Sequence, residues 1–338
     1  MATDWFDDLF GFSERSHDDV QSNLEVVGTT LRSRLNQRSY AIGELTTPSV
    51  QELRDQAAGL VDGLRGRLTV SIVTGDVRRM HGDPANRGAL FQVASQFNLL
   101  EMIGPDVTPE DGVSRYARDP TQGPACALAA AAATVHRNYF VPIDGRVGQT
   151  RDHQIDCLSD LGAALGNEAN ALWAMRNGYA LCTDKGLATI ARMLEALDGR
   201  GVDRLRDLLR IGIHSGVQVT DIQHAQLVSQ AFCSALPVSY TAIPSARWTS
   251  FATLVLEGAY EATMWAAVIN AHTNGSRGLF LTRLGGGAFG NERAWIHHAL
   301  RRALTKVAGL GLDVRVVSHG MVDPALERLV AEFGSPTN

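Results

Sequence analysis

Cysteine is scarce, with four residues in 338, and no two stand at the CxxC spacing of a redox or metal motif. Cys126, Cys157, Cys182 and Cys233 therefore read as free thiols in a reducing compartment, not as a disulfide framework. Metal signatures are missing too. His297 and His298 are adjacent, but there is no HExxH and no Cys/His cluster, so neither a metal nor a cofactor is expected. No apolar run approaches the roughly 20 residues that a bilayer span needs. The opening stretch MATDWFDDLFGFSER is acidic and lacks the basic region and apolar core of a signal peptide. An excess of positive charge is absent as well. Lys and Arg number 31 against 36 Asp and Glu, for a net charge of −5. No global basic field is available to hold nucleic acid or an anionic membrane. Neither internal repeats nor low-complexity tracts occur. What remains is a cytoplasmic protein, 45% hydrophobic, long enough for one large domain or two ordinary ones.

The pattern along the chain is α/β. Val20, Ser22, Leu24 and Val26 alternate as in a strand, Leu31, Ser33 and Leu35 begin another, and residues 38–45 supply a third. A helix follows over 46–67, with Thr47 or Ser49 as its cap. Short apolar strands are expected at 68–76 and 88–98, then a long acidic, Pro- and Gly-bearing loop at 99–121 and an alanine-rich helix at 123–140. Residues 150–208 read as mostly helical. Strands at 211–220 and 226–240, an apolar helix from Arg247 to Ala271, a strand at 278–284, a helix at 291–308 and a final strand complete the chain. Strand–helix alternation of this kind predicts a largely parallel sheet covered on both sides. Residues 1–66 are taken as an N-terminal extension of β meander plus helix, 67–149 and 210–338 as the core, and 150–209 as a helical insertion.

The chemistry begins at LGGGAFGN. Gly285, Gly286, Gly287 and Gly290, with Ala288, Phe289 and Asn291, lie between an apolar strand and a helix. Such a loop brings bare backbone amides and a helix N-terminus to bear on a phosphate, although a tight turn also uses glycine. It lacks the GK[ST] of a P-loop and the context of a GxGxxG fingerprint. A second loop–helix junction, TQGPACAL, places Gln122 and Gly123 at a helix start, where orphan N–H groups point outward or are simply capped. Asp76 and Val77 follow a buried strand. The Asp76 carboxylate could accept from an adenine amino group, or cap its own turn. Gln92, Ser95, Gln96 and Asn98 bring amides and a hydroxyl to the next strand, suited to ribose hydroxyls or, for Asn98, to capping.

This order of pieces resembles the macrodomain and poly(ADP-ribose) glycohydrolase superfamily, over residues 68–140 and 226–320. Gly75-Asp76-Val77 is similar to the GDI-type turn whose Asp meets adenine. VASQFN is similar to the NAAN-type strand end at the distal ribose, with Asn98 in place of the last Asn. The loop from Gly285 to Gly290, with Phe289, is similar to the late glycine loop around the diphosphate. The chain also departs from the pattern. Its first diphosphate loop reads RDPTQGPA, the adjacent Gln-Glu-Glu motif is absent, and an insertion interrupts the core. The nearest subgroup is that of effector-type macrodomains resembling arginine-ADP-ribose hydrolases, which use acids near the first loop. The resemblance implies a three-layer α/β/α mixed sheet, ADP-ribose or ADP-ribosylated protein as partner, and removal of mono-ADP-ribose, with arginine as the linkage.

Glycosidic cleavage at the distal ribose passes through an oxocarbenium-like transition state, which a carboxylate assists. The 99–121 loop offers Glu101, Asp106, Glu110, Asp111 and Asp119. Asp119 ranks first because it lies four residues before Gly123, then Asp111, then Glu101; each could equally be a solvated loop acid. Gln122 could position water or a ribose hydroxyl. Glu257 and Glu261, four apart on one helix face, read as ion-pair partners of arginine. Two other functions stand beside hydrolysis of modified protein: a non-catalytic ADP-ribose reader, and a hydrolase of a small ADP-ribose derivative.

Overall fold

The computed structural model describes residues 4–334. Two short helices open the described chain, α1 (Trp5–Phe10) and α2 (His17–Asn23), followed by an antiparallel meander of β1 (Leu24–Val27), β2 (Thr30–Ser33) and β3 (Ser39–Ala41). Next come β4 (Glu44–Thr46), α3 (Val50–Ala58), β5 (Thr69–Thr74), α4 (Val77–Gly82) and β6 (Leu90–Ala94). The long loop leads to α5 (Gln122–Ala129) and α6 (Ala131–Tyr139), then to a small hairpin of β7 (Pro142–Ile143) and β8 (Arg146–Val147). Helix α7 (Ser159–Leu165), a second hairpin of β9 (Trp173–Arg176) and β10 (Tyr179–Cys182), α8 (Asp184–Glu195) and α9 (Gly199–Asp207) precede β11 (Gly212–Gln218) and β12 (Leu227–Cys233). The chain closes with α10 (Thr249–Asn274), β13 (Gly278–Leu281), α11 (Arg293–Lys306), β14 (Asp313–Ser318) and α12 (Pro324–Phe333).

A seven-stranded mixed sheet in the order β4-β11-β12-β6-β13-β14-β5 forms the middle layer. β12, β6, β13, β14 and β5 are mutually parallel, and β11 runs antiparallel to both its neighbours. Strands covered on both faces need apolar residues on both, which is why β6 reads LFQVA and is buried along most of its length. Gln92 of β6 turns to α10 on one face, where its Nε2 donates to Thr263 Oγ1 at 3.0 Å. Phe91 turns to the other face and stacks on His81 of α4 at 3.7 Å between centroids. The arrangement is the expected three-layer α/β/α mixed sheet.

Several local expectations are corrected. Val20 and Ser22 lie on α2, because Ser16 caps a helix start rich in acids (its Oγ accepts from Asp19 N–H at 3.2 Å), and strand geometry begins only at Leu24. The 38–45 strand is two strands, and β4 pairs with β11 in the central sheet, not with the meander. The helix after Thr47 starts at Val50 under a reciprocal Ser49–Glu52 capping box and ends at Ala58, just before Gly59. The alanine-rich helix is broken at Ala130. Thr220 takes up the freed groups: its N–H donates to Ala129 O at 2.8 Å and its Oγ1 accepts from Ala131 N–H at 3.1 Å. The stretch 173–182 is a hairpin, not helix. Its turn is Asn177-Gly178 with φ of +46° and +77°, the primed-turn geometry that an Asn-Gly pair favours.

Two apolar cores result. The larger lies on both sides of the sheet. The smaller gathers Phe6, Phe10, Leu24 and Leu31 of the N-terminal elements with Leu100, Met102 and Tyr116 of the long loop and Tyr139 of α6. The acid-bearing loop is thus packed on the N-terminal elements. All four cysteines are buried and free. Glu257 and Glu261 are ion-paired within the helical layer, to Arg206 and to Arg54 and Arg302 respectively. Among the described residues no helix is long and apolar enough to cross a membrane.

Candidate active site

A cleft of about 840 Å³ opens where β5, β6, β12, β13 and β14 end. Ligands in open parallel sheets sit at this carboxyl edge. Asp76, Val77, Glu101, Asp119, Gln122, Gly123, Gly285, Gly286, Gly287, Ala288 and Phe289 all line it. Residues more than 200 positions apart in sequence therefore converge.

On one side stands the glycine loop. Gly286 N–H donates to Arg283 O at 3.0 Å and Gly290 N–H to Gly287 O at 3.0 Å, so the loop is internally braced. The N–H groups of Gly287, Ala288 and Phe289 have no partner among the described residues. Gly286, Gly287 and Ala288 are exposed to the cleft. Gly290 serves the backbone instead, since its φ is +71° and a Cβ there would lie 1.8 Å from Ser239 Oγ. Asn291 is also structural and is not part of the cleft lining. It is buried, and its Nδ2 donates to Leu236 O at 2.8 Å, fastening the loop to the segment after β12. These two correct the expectation that the whole run meets ligand.

Facing it is the start of α5. Asp119 Oδ1 accepts from Thr121 N–H at 2.9 Å. No partner is present for the N–H groups of Gln122 and Gly123 among the described residues. Gly123 permits a close approach, since a Cβ there would lie 2.1 Å from Ala94 O. The Gln122 carboxamide is already engaged: it accepts from Ala94 N–H at 2.8 Å and donates to Gln92 O at 2.8 Å. It clamps the end of β6, which replaces the expected contact with water or ribose.

Three further expectations fail because the side chain is engaged away from the cleft lining. Gln92 faces α10, as described above. Asn98 is completely buried; its Nδ2 donates to Gln154 Oε1 at 2.8 Å and its Oδ1 accepts from Leu100 N–H at 3.1 Å. Asp111 closes its own turn, accepting from Thr108 N–H at 2.8 Å and Thr108 Oγ1 at 3.1 Å, bonds that hold its carboxyl below the ordinary range.

Glu101 is the buried acid of the cleft, 3% exposed. Both its oxygens accept from Arg137 Nη2 at 3.1 Å, and its N–H donates to the Tyr116 hydroxyl at 3.0 Å. Burial pushes the Glu101 carboxyl up from 4.5 to about 7, against the downward pull of the Arg137 guanidinium. Arg137 is itself fully buried, donates through Nε to Leu99 O at 2.6 Å and stacks 3.9 Å above Phe232. Asp76 caps α4, accepting from Arg78 N–H at 2.9 Å, while still lining the cleft. Arg118 and Arg283 line the cleft with no carboxylate in salt-bridge reach among the described residues.

Sequence reasoning missed several contributors. Tyr179 and Tyr240 form an aromatic wall with Phe289, with centroid separations of 5.1 Å, 5.3 Å and 5.5 Å. Arg283 adjoins the glycine loop and could have been read as a phosphate partner. Glu14, far away in sequence, accepts from Val113 N–H at 2.9 Å, Ser114 N–H at 2.7 Å and the Tyr139 hydroxyl at 2.7 Å, anchoring the loop that leads to Asp119. No local pattern signals that role.

The fold and cleft define a class: an α/β protein with an amide-lined, acid-bearing pocket at the carboxyl ends of the parallel strands of a mixed sheet. No protein-family profile and no curated protein sequence matches the chain. Among solved structures it is similar to the poly(ADP-ribose) glycohydrolase of Thermomonospora curvata, at 15% identity and a TM-score of 0.44, over 94% of this chain and 95% of that one. It is also similar to the poly(ADP-ribose) glycohydrolase of Deinococcus radiodurans in complex with ADP-ribose, at 11% identity and a TM-score of 0.43, over 85% of this chain and 94% of that one.

Proposed function

We propose that the protein is an ADP-ribosyl hydrolase that removes mono-ADP-ribose from modified protein, with arginine as the linkage. One observation carries the reading: two sets of residues with unpartnered amides line one cleft, and a buried carboxyl pushed up to about 7 lines it too. Paired amide sites suit a pyrophosphate. In this reading the amides of Gly287, Ala288 and Phe289 take one phosphate, and those of Gln122 and Gly123 take the other. Asp76 and the adjoining Val77 receive the adenine end.

The acid order changes from the sequence-based one. Glu101 comes first, because a carboxyl titrating near neutral pH can both give and take a proton at working pH. Asp119, half-buried at the rim, holds a ribose hydroxyl or the attacking water. Water adds at the anomeric carbon as the bond to the protein nitrogen breaks; the acid protonates the leaving group or removes the water's proton. The test is release of ADP-ribose from arginine-ADP-ribosylated protein by the wild type, Glu101→Gln and Asp119→Ala. Turnover undiminished in both variants removes these roles.

A second reading is favoured by one feature. Both Glu101 oxygens are already bonded to Arg137, as a purely structural ion pair would be. The protein would then be a reader of ADP-ribose. Calorimetric binding of free ADP-ribose without product from any ADP-ribosylated substrate would select it.

A further inference from the structure

Of residues 150–209, only Tyr179 lines the cleft. It belongs to the β9–β10 hairpin. We propose that this hairpin, through Tyr179, positions the acid loop that carries Glu101, so that the inserted stretch acts as a scaffold for the acid and not as a lid. The inference rests on the reading of the cleft as a glycosidic hydrolase site.

The polar contacts of the turn converge on one segment. Phe97 N–H donates to Gly178 O at 3.0 Å. The Tyr179 hydroxyl donates to Met102 O at 2.6 Å, next to Glu101. Asn177 Nδ2 donates to Pro105 O at 2.7 Å, and Arg176 pairs with Asp106. Gln154 bridges the two sides, donating through Nε2 to Asn177 Oδ1 at 2.8 Å while its Oε1 accepts from Asn98 Nδ2 at 2.8 Å. Gly178 lies so close that a Cβ would meet Asn98 Oδ1 at 2.5 Å and Gln96 Cβ at 2.6 Å.

The acid loop needs such support. Leu99 sits at a φ of +65°, which a branched side chain adopts only when its surroundings impose it. Gln96 N–H donates to Leu100 O at 2.8 Å and Met102 N–H to Gln96 Oε1 at 2.8 Å, closing a tight turn around Glu101. Tyr179 therefore holds the carbonyl of Met102, the residue after Glu101, while its ring packs on Phe289 of the glycine loop. A buried tyrosine hydroxyl always seeks an acceptor. Here Arg176, Asn177 and Gly178 at the turn also reach the same stretch, 97–106, and that concentration singles out positioning.

Tyr179→Phe removes the hydroxyl and keeps the ring. We expect kcat on ADP-ribosylated protein to fall between about 10- and 100-fold, the scale at which a displaced catalytic group acts. Amide hydrogen exchange over residues 97–106 should quicken in the same variant. Asn177→Ala, which lies outside the cleft lining, should lower kcat likewise while changing the Kd for free ADP-ribose by less than about twofold. Unchanged kcat in both variants, or an equal loss of binding and turnover, overturns the proposal. So does unchanged exchange over 97–106. Absence of turnover and of ADP-ribose binding in the wild type would instead strike at the hydrolase reading, and the exchange rates still decide whether the hairpin holds the loop.

Discussion

Replacing Glu101 by Gln is the sharpest perturbation available. The substitution keeps shape and one hydrogen-bond acceptor for Arg137, and removes the charge and the titration. Its structural cost has a ceiling. Stripping one partner from a buried ion pair costs about 3–5 kcal/mol when nothing replaces it. Glutamine retains an acceptor, so the loss should lie at or below the lower end, and Arg137 stays fixed by Leu99 O and Phe232. The pH dependence has a definite sign. Burial raises the folded-state value from 4.5 to about 7, so between those limits the folded protein holds a proton that the unfolded chain has lost. The contribution from this group is complete below 4.5 and is lost as pH rises to about 7. Denaturant titrations should show the wild type losing stability relative to Glu101→Gln across that window and running parallel above it. Kinetically, loss of a general acid–base group costs about 10²–10⁴ in kcat. The wild-type pH–rate profile should carry a limb near 7 that disappears in the variant. A folded Glu101→Gln protein with kcat within about threefold of wild type, and the limb intact, would refute the assignment of proton transfer to this residue.

Other consequences are testable independently. Gly290→Ala forces a Cβ onto Ser239 Oγ at positive φ, and should cost about 1–3 kcal/mol in stability and weaken ADP-ribose binding; unchanged melting and affinity would show that the loop tolerates the shift. Glu261 behaves oppositely to Glu101. Burial pushes its carboxyl up, but hydrogen bonds from Arg302 and Arg54 outweigh it and leave it lowered. Its stabilisation is therefore present above the unfolded value and lost as pH falls. Glu261→Gln should flatten the acid limb of stability without altering kcat at neutral pH, as followed by melting temperature from pH 3 to 7. Asp119→Ala should lower kcat while leaving the melting temperature nearly unchanged, because among the described residues its carboxylate accepts one hydrogen bond, from Thr121 N–H at the loop surface.

The sheet was legible because its strands are covered on both faces. Short buried runs such as LFQV and LFL read as strands from their length, their aromatic content and the Gly and polar residues that bound them. The glycine loop and the Gly75-Asp76 turn were legible because close backbone approach leaves glycine as a visible trace. The amide side chains were misread. Gln92, Asn98, Gln122 and Asn291 have the right chemistry for ribose, but a carboxamide serves buried backbone groups equally well, and only the fold decides which need it dominates. Glu101 and Asp111 could not be ranked for a similar reason. One is driven inward by its tie to Arg137, 36 positions away, while the other is consumed by Thr108, three positions before it. The Asn177-Gly178 hairpin was legible in principle, since Asn-Gly between two short apolar runs is a strong turn signal, yet helical sequence on either side masked it.

The central claim is that the bare amides of the glycine loop and the start of α5 clasp a pyrophosphate and so deliver a distal ribose to Glu101. A crystal structure of the Glu101→Gln protein with ADP-ribose tests it most directly. The account predicts phosphate oxygens about 2.7–3.2 Å from the nitrogens of Gly287, Ala288 and Phe289, with the distal anomeric carbon facing the substituted side chain at position 101. A nucleotide bound elsewhere, or one lying in this cleft with its phosphates in solvent and its distal sugar away from position 101, would contradict it.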